Sequence, residues 1–87
     1  MIFKIHFLEE ANADLSKLNK NDSKIILKKL NWLALNVKTA KHLPLSANLA
    51  GLYKLRVGDF RVIYQILDKE SILLVHAVGH RKDIYDI

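Results

Sequence analysis

Cysteine is absent from the 87 residues, which removes disulfides and thiolate zinc sites from consideration. Long apolar runs are absent too. Charge interrupts every hydrophobic stretch, so no membrane-spanning helix is expected, and the opening MIFKIHF lacks the apolar core and small-residue cleavage site of a signal peptide. A cytoplasmic protein without a membrane partner is the simplest expectation. Proline occurs once and glycine three times, so each chain breaker carries positional meaning. Linkers rich in Gly, Ser or Pro, internal repeats and low-complexity tracts are missing as well, which points to one domain over residues 1–87.

What is present is apolar and basic. Hydrophobic residues make up 51% of the chain, high for this size, and imply either a dense core or an apolar patch kept for a partner. Lys and Arg number 14 against 9 Asp and Glu, a formal charge of +5. That balance favours a polyanion or an acidic protein as partner.

Residues 2–7 alternate, with Phe3, Ile5 and Phe7 on one side and Lys4 and His6 on the other, as a half-buried strand does. From Leu8 the period changes. Leu8, Ala11, Leu15 and Leu18 recur at helical steps, with Glu9 and Glu10 in the first turn where the helix dipole favours negative charge. A second helix is expected after an N-cap at Asn21 or Asp22, running to about Val37 with Ile26, Leu30, Leu33, Ala34 and Val37 buried. Lys24, Lys28 and Lys29 fall on its outer side, where Lys28 is a candidate RNA contact, and Trp32 is placed at the edge of the helical hairpin. Periodicity is lost from Lys38 to Ala50, and Pro44 marks a crossing from helices to sheet.

The stretch 51–67, GLYKLRVGDFRVIYQIL, reads as two strands joined by Gly58-Asp59, a two-residue loop whose first position needs positive φ. Pairing Val57 with Phe60 puts Arg56 opposite Arg61, Lys54 opposite Ile63 and Tyr53 opposite Tyr64. Lys54, Arg56 and Arg61 then share one face, and Tyr53, Leu55, Val57, Phe60, Val62, Tyr64 and Ile66 the other. Like charges opposed across a sheet are unfavourable by up to about 1 kcal/mol, so this face is either solvated or reserved for an anion. Asp68–Ser71 reads as a second turn and 72–78 as a third strand, with His76 opposite Ile63 as a possible proton carrier. A helical turn over Arg81–Tyr85 would put Arg81 and Tyr85 on one face, at i and i+4, beside the end of that strand.

The expected fold is therefore α+β: a short N-terminal strand, an α-helical hairpin, then a three-stranded antiparallel meander forming one sheet covered by helices on one face, and a short C-terminal helical turn. Lys54, Arg56, Arg61, Arg81 and Tyr85 form a candidate phosphate site. No carboxylate pair, metal cluster, nucleophilic serine or Gly-rich phosphate loop accompanies them, so neither metal nor cofactor is expected. Metal-free RNA cleavage needs a base for the ribose 2′-hydroxyl, cations for the phosphorane and an acid for the leaving oxygen. Arginine forks suit the second task, and lysine or tyrosine the proton transfer.

The run 51–64, followed by VGHRKDIY at 78–85, resembles the RelE branch of the RelE/ParE toxin superfamily over essentially the whole chain. The resemblance implies a toxin of a type II toxin–antitoxin system that cuts messenger RNA on the ribosome and inhibits translation. A cognate antitoxin, with an acidic or amphipathic helical segment, would silence it. By position the resemblance matches Lys54 and Arg56 to the family's basic strand, Arg61 to its phosphate-binding arginine, Arg81 to its transition-state arginine and Tyr85 to its C-terminal tyrosine, so Lys54, Arg61, Arg81 and Tyr85 are the expected catalytic residues; Arg56, Lys82 and Lys28 are the expected RNA contacts. Arg56 stands where some members carry lysine; because arginine stays charged, Lys54 or Tyr85 is left as the base. The rival readings are a ParE-like, non-enzymatic inhibitor of DNA gyrase and a basic RNA-binding domain without catalysis.

Overall fold

The computed structural model describes residues 2–45 and 51–82. They form β1 (Lys4–Phe7), α1 (Glu9–Ser16), α2 (Lys20–Leu35), β2 (Leu43–Pro44), β3 (Leu52–Val57), β4 (Phe60–Leu67) and β5 (Ile72–His80). The class is α+β as expected, and β3, β4 and β5 make the expected antiparallel meander. The sheet is nonetheless five-stranded and mixed, in the order β1-β5-β4-β3-β2, rather than three-stranded. At one edge β1 runs parallel to β5, Lys4 beside Ile72 and Phe7 beside Val75. At the other, Leu43 and Pro44 pair with Lys54 and Tyr53, an edge position that a residue without an N–H tolerates. The expected C-terminal helical turn falls mostly on 83–87, outside the described residues.

The two helices form locally before they pack. Asn19, rather than Asn21 or Asp22, caps α2, its side chain accepting from the Asp22 N–H at 2.9 Å. The stripe Ile26, Leu30, Leu33 and Ala34 then faces the sheet and is buried, and Val37 just beyond the helix is buried with it. These side chains meet Val57, Val62, Tyr64, Leu73, Val75 and Val78 in one core. Burying a side chain such as Leu30 fully contributes about 1.5–3 kcal/mol, and this layer closes one face of the sheet. Trp32 lies on the outside, 47% exposed, with the Lys29 ammonium 4.4 Å from its ring centre. Among the described residues no helix is long and apolar enough to cross a membrane.

The crossing from α2 to the sheet is pinned by a histidine. His42 Nε2 lies 2.8 Å from the Val37 carbonyl, which can only accept, so this nitrogen carries the hydrogen. Nδ1 is then the acceptor for the Tyr64 hydroxyl at 2.5 Å. The rings of His42, Tyr53 and Tyr64 pack with centroids 5.5–5.7 Å apart. Burial, and secondarily the neighbouring Tyr53, pushes the Tyr64 phenol up to about 12.

Candidate nucleic-acid interface

The hairpin register is the one its alternation predicts: Arg56 faces Arg61, Lys54 faces Ile63 and Tyr53 faces Tyr64. The turn works because Gly58 adopts φ +59° while Asp59 does not have positive φ, the pattern of a type II′ turn. With the apolar set taken up by the core, Lys54, Arg56 and Arg61 are left on the face without helices. Neighbouring strands lie about 4.8 Å apart and residues i and i+2 about 7 Å apart. Arg56 and Arg61 are therefore direct neighbours, with Lys54 one step along.

The next strand sets a glycine beside them. β5 pairs with β4 at Leu67–Ile72, but a bulge between Ile63 and Tyr64 shifts the register by one residue. Beyond it Ala77, not His76, faces Ile63, which corrects the expected placement of the histidine. His76 instead donates from Nε2 to Gln65 Oε1 at 3.0 Å, a bond that occupies it within the sheet. The shift has a second effect. Arg61 is now flanked by Gly79, where an unbroken register would have placed Val78. Val78 turns into the core, 3% exposed, and a residue without a side chain is Arg61's neighbour across the sheet.

Arg81 follows directly after β5. Its N–H donates to the Asp59 carbonyl at 2.8 Å, which ties it to the hairpin turn near Arg56 and Arg61. Arg81 and Lys82 are both exposed, and the Lys82 N–H donates to His80 Nδ1 at 3.3 Å. Lys28 lies apart from this group, exposed on the side of α2 that faces away from the sheet. Tyr85 lies outside the described residues.

Among the described residues no carboxylate comes within ion-pairing distance of Lys54, Arg56, Arg61 or Arg81; the pair present is Lys38–Asp68 at 2.8 Å, elsewhere on the surface. Mutually repelling cations without a carboxylate partner among the described residues favour an anion on this face. Planar guanidinium groups match phosphate bidentately, so the row Arg56, Arg61 and Gly79 can receive a phosphodiester. Lys54, flanked by Leu43 and Ile63, is the proton-transfer candidate within the described residues. The fold gives roles to two further residues: Gln65, which holds the bulge histidine, and Asp14, whose Oδ2 accepts from the Val78 N–H at 3.0 Å. Asp14 had a signal, because it occupies a position in the apolar stripe of Ala11, Leu15 and Leu18.

Residues 5–85 match the family model described as the ParE toxin of the type II toxin–antitoxin system parDE. A RelE-like toxin protein of Escherichia coli is 35% identical over 94 aligned positions, which cover 100% of this chain and 94% of the relative. The fold is similar to that of the RelBE2 toxin–antitoxin complex of Mycobacterium tuberculosis, with a TM-score of 0.83 and 26% identity over 93% of both chains. The isolated RelE toxin of Escherichia coli superposes with a TM-score of 0.77 at 22% identity, covering 97% of this chain and 92% of that one, a likeness of fold alone.

Proposed function

We propose, for a chain that belongs to the ParE toxin family of type II toxin–antitoxin systems and thus to the RelE/ParE superfamily, that it is a ribosome-dependent endoribonuclease of the RelE type. It acts as a single domain in the cytoplasm, cuts messenger RNA without a metal and so inhibits translation, and is silenced by a cognate antitoxin with an acidic or amphipathic helical segment. The observation that carries this reading is the row Arg56, Arg61 and Gly79 with Arg81 tied beside it, a cationic face that no described carboxylate neutralises.

In this mechanism Lys54 or Tyr85 takes the proton of a ribose 2′-hydroxyl, whose oxygen attacks the adjacent phosphorus. Arg61 and Arg81 stabilise the charge that builds on the non-bridging oxygens, the largest single contribution in such reactions. The P–O5′ bond breaks and the 5′ oxygen receives a proton, leaving a 2′,3′-cyclic phosphate and a 5′-hydroxyl. Arg56 and Lys82 hold flanking phosphates. Lys28, on the opposite side of the molecule, contacts ribosomal or messenger RNA away from the cut.

A second reading, inhibition of DNA gyrase, is favoured by the family model itself, which is named for ParE. Brief induction followed by primer extension on messenger RNA, with gyrase supercoiling assayed in parallel, separates the two. Codon-phased ends that disappear in folded Arg61→Ala and Arg81→Ala variants support the nuclease. Blocked supercoiling with intact messenger RNA supports the gyrase inhibitor.

A further inference from the structure

We infer that Asp14 is a positioning residue for the phosphate-binding face, holding the end of β5 in the register that sets Gly79 beside Arg61 and carries Arg81 to the hairpin turn. The inference rests on the nuclease reading for its consequence in catalysis, and on geometry alone for the hold itself.

The distal arm of β5 has an incomplete set of neighbours. β1 accompanies β5 only from Ile72 to Val75, and the Leu8 N–H closes that pairing on the Val75 carbonyl at 2.9 Å. Past Val75 the arm has β4 on one edge and no strand on the other. The bulge also falls here, so this is where the ladder can slip by one residue. Val78 is the first residue after the bulge whose N–H points away from β4, and Asp14 accepts that hydrogen bond across a separation of 64 residues.

Asp14 is built for the task. It lies in the last turn of α1, on the half-buried side with Leu15 and Leu18. Its contact to Val78 is the one side-chain hydrogen bond between α1 and β5 among the described residues. A cavity of about 270 Å³ bounded by Asp14, Lys17, Leu18, Phe60 and His80 lies beside it, so packing does not replace the bond. A carboxylate accepting from a backbone N–H is a charge-assisted bond, stronger than a neutral one. The remaining ties of the arm are the Arg81 N–H to the Asp59 carbonyl and the Phe60–His80 ring contact at 5.8 Å. Both depend on the register that Asp14 holds.

The test uses the full chain with Asp14→Ala and Asp14→Asn. Messenger RNA cleavage in a translating extract should fall roughly ten- to hundredfold in Asp14→Ala. It should largely recover in Asp14→Asn, whose amide oxygen still accepts from Val78. Amide exchange should lose about tenfold or more protection at Val78 and Arg81 while Leu30 and Val62 keep theirs. Loss of protection throughout the core would reduce Asp14 to a general stabiliser and overturn the inference. Wild-type cleavage and exchange in Asp14→Ala would overturn it as well. A wild-type chain that cuts no messenger RNA would remove the nuclease reading, and the exchange at Val78 and Arg81 would still decide whether Asp14 holds the arm.

Discussion

Replacing Tyr64 by Phe removes one oxygen from the core and tests how the α2–β2 crossing is pinned. The ring stays against Tyr53 and His42, so little packing is lost, but His42 Nδ1 loses its donor. His42 is half-buried and water can reach it in part, which places the cost near the middle of the usual range, about 1 kcal/mol. For a domain of this size that lowers the melting midpoint by about 4–8 °C. The sign then changes with pH. A phenol raised from 10.0 to about 12 holds its proton more tightly in the folded chain, an effect on the order of 2–3 kcal/mol. That stability is whole below about pH 10, falls as the unfolded chain ionises, and is gone above about 12. The informative quantity is the difference between wild type and Tyr64→Phe in urea midpoints measured from pH 7 to 12, in which contributions common to both chains cancel. Wild type should be the more stable at neutral pH and the less stable near pH 12. Equal midpoints at pH 7, or parallel curves up to pH 12, would refute the hydrogen bond and the buried phenol.

Two further substitutions test the hairpin and the core. Gly58→Ala meets no atom within 4 Å but forces a side chain onto φ +59°, so it should cost about 1–2 kcal/mol through the backbone alone, with Gly58→Asn costing less; urea midpoints at constant slope would show this. Leu30→Ala, at a position fully enclosed between α2 and the sheet, should cost about 2–5 kcal/mol in the same measurement.

The hairpin was legible because its information is local. A two-residue loop with glycine first leaves one sensible register, and strict alternation then assigns every side chain to a face. The stripe of α2 was legible for the same reason, but its cap was not, because Asn19, the true cap, is followed by Asn21 and Asp22, which cap equally well. Long-range pairings were not legible. Nothing in Lys4–Phe7 says that its neighbour is a strand nearly seventy residues away, or that the pair is parallel. The bulge was hidden too, since the extra residue in β5 is recognised only from where Val78 must point, and it displaced His76 from the position that simple counting assigned. Asp14 was visible as a carboxylate in an apolar stripe, but its partner was a backbone N–H, which no residue type announces.

The central claim, that the cationic face of β3, β4 and the end of β5 cuts messenger RNA, is tested most directly by the end groups of the fragments. Messenger RNA from a translating extract treated with the purified chain should carry 2′,3′-cyclic phosphate and 5′-hydroxyl ends, and folded Arg61→Ala and Arg81→Ala variants should leave it intact. Full-length messenger RNA with the wild-type chain, or unchanged cleavage by both variants, would contradict the account.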